Sequence, residues 1–534
     1  MELPRNFENS RWVSRRSRVL GVLGVFGLFG ALQLMACGDG DGTSDAESTA
    51  STGSMTTPTT TPPTTVGESE TTAGSASSVG TDSSSSDSSS SGPDTESSTE
   101  TMGETTGGSK LPTCNGEPCA KLDLLFVIDG SGTMAEEQQN LADNFGVMFE
   151  GLQSIEIGDG EVVPLDLNVM VTSADMGHPL CDPFEPPGYD PAKGSPVSSP
   201  CTERLDDFVG LMQPPLDVTE VCMDACPVPL APTDPFIHFD EDGTNVPGDD
   251  VASAFGCIAP QGIVGCGMEA QLESMLSALD PSAQWNGQAG FLRDDAALGI
   301  VLITDEPDCS VSAPEGYTYF DPGESANPDV TQFWALNPDT MEKQVTSAVC
   351  WNAGTNCVDE DLDGTYESCT EVDNPVLFDS TRYSDYFAGL RQQDPDRIIM
   401  MLAIVGVPEV TQYNAEPPNE PQAGGLQELV YRQWRDGVYP DGDILPGEET
   451  NAATQEFLWG IGPGCTGVDN QVFTGQAAPP LRVRSVCESL NLPDDPMTPS
   501  DESRVRCCID SICSPDFSRG LGCITGILEQ TAQE

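Results

Sequence analysis

Two segments of this 534-residue chain place hard oxygen ligands where a buried apolar run ends. The first is Asp129-Gly130-Ser131-Gly132-Thr133 and the second is Thr304-Asp305. Glycines let the first loop turn sharply, which brings one carboxylate and two hydroxyls around a single centre. An oxygen set with few charged members suits Mg2+ or Mn2+ in octahedral geometry with several waters retained. Asp129, Ser131, Thr133 and Asp305 are therefore the candidate metal ligands.

A second oxygen-rich element is Asp359-Glu360-Asp361-Leu362-Asp363-Gly364. Its carboxylates at positions one, three and five and its glycine at six resemble the opening of a calcium loop. Position twelve is Thr370 and not Glu, so it is not a standard EF-hand. Asp359, Asp361 and Asp363 are either Ca2+ ligands or a plain acidic turn, and Asp240-Glu241-Asp242-Gly243 is a weaker version of the same pattern. The chain has only two histidines, His178 and His238, both in polar sequence that reads as surface. There is no H-E-x-x-H, Walker loop or G-x-S-x-G, so no catalytic residue is assigned.

The elements that must position these residues alternate along the chain. Leu124-Leu125-Phe126-Val127-Ile128 is a continuous apolar run suited to a strand buried on both faces. Leu141, Phe145, Met148, Phe149 and Leu152 then recur at helical spacing. A strand follows at 165–171, a helix carries Met268, Leu272, Met275, Leu276 and Leu279, and further strands are expected at 298–303 and 398–405. A last helix starts near Asp516 and carries Phe517, Leu521, Ile524 and Leu528. This interleaving predicts an α/β fold with a doubly wound, mostly parallel sheet over 113–534. Pro-, Gly- and Cys-rich stretches near 176–256, 307–380 and 410–485 read as insertions. Ligands bind such sheets beyond the carboxyl ends of the strands, where both oxygen-bearing segments lie.

The front of the chain has a different composition. Arg5, Arg11, Arg15, Arg16 and Arg18 precede an uncharged run from 19 to 35, the layout of a signal peptide. That run ends in Leu34-Met35-Ala36-Cys37, which resembles a bacterial lipobox, so residues 1–36 would be removed and Cys37 would carry lipid. Residues 37–112 form a linker without a core: from 41 to 110, 37 of 70 residues are Ser or Thr. A flexible coil of this length spans about 45–50 Å. After Cys37, 18 of the 19 cysteines remain, an even number that predicts up to nine disulfides in an oxidising compartment. Residues 111–534 hold 72 acidic and 15 basic side chains, which argues against a nucleic-acid partner.

The order of strand, Asp129-x-Ser131-x-Thr133, helix, and later strand with Asp305 resembles a von Willebrand factor A domain. The resemblance covers roughly 121–406 together with the terminal helix. It implies a metal-ion-dependent adhesion site in which Ser131 and Thr133 bind the cation directly, and Asp129 and Asp305 act largely through water. A partner's carboxylate would complete the shell. One piece departs from the pattern: the loop expected to supply a threonine reads Gly262-Ile263-Val264-Gly265-Cys266-Gly267, with no hydroxyl. Thr172, Ser173 and Glu269 are the substitutes the sequence offers, and Cys266 suits a disulfide, with Cys257 as one partner, better than a hard cation.

The expectation is a lipid-anchored cell-envelope protein that binds a protein or extracellular-matrix ligand through a divalent cation. Gly38 lacks the aspartate that in some Gram-negative bacteria keeps lipoproteins at the inner membrane, which favours the outer membrane. A structural envelope scaffold with a vestigial metal site is the alternative. A third reading, a secreted hydrolase with its chemistry in the insertions, has no motif behind it.

Overall fold

The computed structural model describes residues 113–533 apart from 115–116, 153–155, 158–160, 211–214, 438–441, 445–449, 470–471 and 493–503. The signal-like segment, Cys37 and nearly all of the Ser/Thr-rich linker lie outside the described residues.

A mostly parallel sheet of seven strands organises the fold. Its members are β1 (Ala120–Ile128), β2 (Leu165–Ser173), β3 (Ile237–Asp240), β4 (Gly243–Thr244), β5 (Ala297–Ile303), β6 (Ile399–Val405) and β7 (Cys507–Ser511). They are ordered β7-β6-β5-β1-β2-β3-β4, with only β3 and β4 antiparallel to their neighbours. The chain adds β2 on one side of β1 and later returns to add β5 on the other. Such a reversal leaves a crevice at the carboxyl ends of β1 and β5.

Side chains alternate between the two faces of β1. Leu122, Leu124, Phe126 and Ile128 join one core with Phe149 and Leu152 of α1 (Ala135–Leu152), Phe255 and Ile258 of α2 (Val251–Ile258), and the terminal helix. Leu125 and Val127 join the opposite core with Leu272 and Met275 of α3 (Gln271–Ala278), Tyr383 and Phe387 of α4 (Thr381–Gln393), and Val483 and Val486 of α5 (Leu481–Glu488). The terminal helix, α6 (Ser518–Gln533), packs through Leu521, Ile524 and Leu528. Each fully buried aliphatic or aromatic side chain contributes roughly 1.5–3 kcal/mol. Helices on both faces therefore hold β1 and β5 rigidly and fix where their ends point.

Nine disulfides join all 18 cysteines beyond Cys37. Successive residues of a strand point to opposite faces, and the edge strand β7 uses this. Cys507 bonds Cys487 of α5 on one face and Cys508 bonds Cys523 of α6 on the other. The expected partnership of Cys266 with Cys257 is incorrect: Cys266 bonds Cys181 and Cys257 bonds Cys226. The long segments between core strands have interiors of their own. Residues 307–380 bury Phe320, Trp334 and Val349 around Cys309–Cys350, and residues 176–256 supply β3 and β4 to the sheet edge. Met268 lies before α3, in the approach loop and not in the helix.

Candidate functional site

Strand register sets the site. Ile128 pairs with Ile303 on one side and Ser173 on the other, so Asp129 and Thr304 leave the sheet side by side. The Asp129 N–H donates to the Ile303 carbonyl at 2.9 Å, which locks the two ends together. Asp129 Oδ1 then accepts from the Ser131 N–H at 2.7 Å, turning the loop into the short helical turn Gly132–Met134 and on into α1. Ser131 Oγ and Thr133 Oγ1 consequently lie 3.0 Å apart. Two ligands at right angles on ~2.1 Å bonds would be separated by about 3.0 Å, the edge of a Mg2+ octahedron.

The remaining oxygens come from two other segments. Thr304 Oγ1 donates to Asp129 Oδ2 at 2.6 Å while accepting from Gln271 Nε2 at 2.7 Å. Glu269, in the loop before α3, accepts from the Gly130 N–H through Oε1 at 3.3 Å. Its Oε2 is buried and accepts no hydrogen bond. Glu306 directly follows Asp305 and is buried beside Gly267, where the Thr133 hydroxyl and the charges of Asp129 and Asp305 all act on its carboxyl. Gln138 of α1 secures the floor, donating to the carbonyls of Asp129 (3.0 Å) and Gly262 (3.3 Å).

The electrostatics are lopsided. Asp129, Glu269, Asp305 and Glu306 are all buried. Among the described residues no lysine or arginine makes a salt bridge with Asp129, Glu269 or Glu306. Burial holds the Asp129 carboxyl above its ordinary range despite hydrogen bonds from Thr304 and Ser131. Burial first, and then the charges of Asp129 and Asp175, push Glu269 well up. Glu306 is raised the same way, with Asp129 and Asp305 adding to burial. Gathering carboxylates away from water without a counter-charge is unfavourable, and a dication at their centre would reverse the sign of that interaction.

Segments from distant parts of the chain close over these residues. Gly265 donates to the Gly130 carbonyl at 2.8 Å, an approach at which a side chain would collide, since a Cβ there would sit 2.8 Å from the same oxygen. Ser347 Oγ donates to the Gly267 carbonyl at 2.8 Å, and the Ala478 N–H to the Asp305 carbonyl at 2.7 Å. Gly475, at φ +126°, passes so near Glu137 that a Cβ would overlap its carboxylate. Thr133 alone of the expected ligands stays half-buried; Asp129, Ser131 and Asp305 are almost wholly enclosed.

The structure brings Asp129, Ser131 and Thr133 into one loop and sets Asp305 at the adjoining strand end. Of the three substitutes that the sequence offers, Glu269 is the one hydrogen-bonded to the first loop, at Gly130. Thr172 and Ser173 lie within β2 and not after it; the Thr172 hydroxyl is spent on the Ser195 carbonyl at 2.8 Å. Thr304 and Glu306 are participants that the motif does not specify. Their signal is adjacency to Asp305, which becomes meaningful once β1 and β5 are known to be neighbours.

Of the two histidines expected at the surface, His178 departs from the expectation and His238 keeps part of its ring exposed. His178 is buried, edge-on to Tyr317 and Phe320 with ring centroids at 5.0 and 4.5 Å, and burial lowers its pKa to about 4. His238 belongs to β3, half-buried between Asn168 and Asp240. Asp240 itself caps a tight hairpin turn, accepting from the Asp242 and Gly243 N–H groups at 2.9 and 3.1 Å, which accounts for that acidic run without a cation.

Asp359, Asp361 and Asp363 do converge, with one carboxylate oxygen from each within 4.8 Å of the others. They cap a hairpin formed by Thr355–Val358 and Ser368–Glu371 and closed by Cys357–Cys369. Gly364 takes φ +83° at the turn and donates to Asp359 Oδ2 at 3.0 Å. Thr370 is a paired strand residue opposite Asn356.

Among the described residues no helix is long and apolar enough to cross a membrane. No family model matches the chain, and neither does any curated protein or solved structure.

Proposed function

We propose that this chain is a divalent-cation-dependent binding module of the cell envelope, built on a doubly wound, Rossmann-like sheet of the von Willebrand factor A type. Ser131 and Thr133 contact Mg2+ or Mn2+ directly, Asp129 and Asp305 orient its waters, and a protein or matrix ligand engages the surface around it. The observation that carries this reading is the 3.0 Å pair of hydroxyls beside the buried carboxylates of Asp129, Glu269 and Glu306, which among the described residues make no salt bridge with a lysine or arginine. The lipobox-like end at Cys37 and the Ser/Thr-rich tether support display on an envelope surface, and nine disulfides suit an oxidising compartment.

Calorimetric titration of the full chain with Mg2+ and Mn2+ tests the site. Binding that disappears in Asp129→Ala supports it, whereas no binding, or binding unaltered by that substitution, removes it. A structural scaffold remains the competing reading, favoured by the enclosure of Asp129, Ser131 and Asp305; it requires that cation removal leave ligand capture unaltered. The Asp359 loop is a separate Ca2+ candidate with no part in this centre.

A further inference from the structure

We propose that the chain carries a second ligand site, independent of the cation-binding reading: a pocket for an acidic sugar between the hairpin of Val410–Tyr413 with Pro421–Gly424 and the start of α6. The cavity there measures about 430 Å3, within the range of small-molecule sites. No Leu, Ile, Val or Met lines it, which disfavours an apolar occupant. Thr411, Gln412 and Tyr413 all line it, although successive strand residues normally face opposite ways. Register shifts on either side of Gln412 break that alternation. The Thr411 hydroxyl and the Gln412 amide make no hydrogen bond with a described residue, which leaves both free for sugar hydroxyls. The Tyr413 hydroxyl donates to buried Asp510 at 2.6 Å, which fixes its ring as a platform for sugar C–H groups.

Two residues give the pocket its charge preference and its shape. The guanidinium of Arg519 lies 5.6 Å from the centre of the Tyr413 ring and makes no hydrogen bond or salt bridge with a described residue. A ring resting on Tyr413 would carry its carboxylate within reach of that cation, whose planar fork suits a carboxylate. Arg519 also stands in the first turn of α6, where the helix dipole favours negative charge. Asp516 caps the Ser518 N–H and leaves Arg519 unpaired, while Glu420 of the hairpin spends its carboxylate on the Asn414 and Gln422 amides. The shape comes from Gly522. Glycine weakens a helix relative to alanine, and packing accounts for two others in α6. A Cβ at Gly520 would overlap the Asp510 carboxylate, and one at Gly526 would sit 2.7 Å from the Pro418 carbonyl. At Gly522 a Cβ would meet nothing within 4 Å, yet this glycine lines the cavity, so what it preserves is space.

The test is saturation-transfer NMR on the full chain in chelator, so that no divalent cation takes part, with D-glucuronate as the probe and D-glucose and acetate as controls. D-Glucuronate is expected to bind with a Kd on the order of millimolar and to receive saturation on its ring protons. Glucose and acetate should each bind at least about tenfold more weakly, since each lacks one half of the recognition. Arg519→Gln should bring glucuronate down to the level of glucose, and Gly522→Leu, which fills the cavity, should abolish binding of both. Arg519 is exposed and Gly522 opens on empty space, so neither change removes a packed group. No binding of glucuronate at about 20 mM overturns the proposal, as does binding that both variants retain. Glucose bound as tightly as glucuronate overturns the acidic class, and acetate bound as tightly overturns the sugar. If Gly522→Leu fails to fold, Arg519→Gln still decides. Failure of the cation reading leaves every one of these outcomes unchanged, because each is read without a dication.

Discussion

Thr304 Oγ1 donates to Asp129 Oδ2 across 2.6 Å, joining two residues 175 positions apart at the ends of adjacent parallel strands. That single hydroxyl ties the first loop to Gln271 of α3 and to the segment holding Asp305 and Glu306.

Thr304→Val keeps the shape but removes the donor to Asp129 and the acceptor for Gln271 Nε2, both buried. Leaving such groups unsatisfied costs about 1–3 kcal/mol each. Urea denaturation in chelator should show a loss in that range, and stability equal to the unaltered chain would mean that the bond does not matter. Saturating Mn2+ should recover part of the deficit, since about 2.7 kcal/mol is gained at a free concentration one hundred times Kd.

Arg482 of α5 is the tie between the core and residues 307–380. Its Nε contacts Asp308 at 3.0 Å and its Nη2 donates to the Phe378 carbonyl at 2.7 Å, with both charged side chains almost fully buried. Arg482→Ala strands the Asp308 carboxylate and should cost about 3–5 kcal/mol. A double variant with Asp308→Asn should be less damaged than the single one; a purely additive loss would argue against the pairing.

His178 gives the fold a pH dependence. Burial holds its folded pKa near 4 against 6.5 when unfolded, so the unfolded chain takes up the proton first. Stability from this group is full above about pH 6.5 and declines as the pH falls towards 4, by at most about 3 kcal/mol. Asp123 and Asp510, both pushed up to about 6 by burial, act with opposite sign over their own range below pH 6. Comparison with His178→Phe, whose ring suits the Tyr317 and Phe320 pocket, isolates the histidine. Parallel stability curves for the two chains between pH 4 and 6.5 would refute this assignment.

The Asp359 hairpin is testable on its own. Ca2+ should slow amide exchange at 359–365 in the unaltered chain and not in Asp361→Ala, with Mg2+ less effective because it demands a tighter octahedron. Exchange insensitive to Ca2+ would leave an acidic turn held by its own hydrogen bonds, among them those from Asp363 and Gly364 to Asp359 and from Thr365 to Asp363.

Much of the framework is legible along the chain. Residues 124–128 and 298–303 announce strands buried on both faces because continuous apolar runs need no partner to be recognised, and α1 and α6 show their spacing in the same way. Asp129, Ser131 and Thr133 belong to one turn because the Ser131 N–H folds back onto Asp129, although neither Gly130 nor Gly132 takes a positive φ there, and the 18 cysteines left once Cys37 is set aside allow full pairing. Edge strand β7 escapes this reading because Cys507-Cys508-Ile509-Asp510-Ser511 mixes bonded cysteines with a buried acid.

What linear order cannot carry is which distant groups share a volume. Glu269 reaches Gly130 over 139 positions, Cys266 chooses Cys181 over its nearer neighbour Cys257, and His178 is buried by aromatic rings that lie more than a hundred residues ahead. Periodicity reports whether a residue is buried, since that depends on its own face; it is silent on what it is buried against. The charge balance of the centre, with Glu269 and Glu306 buried close to Asp129, arises only when the strand ends meet.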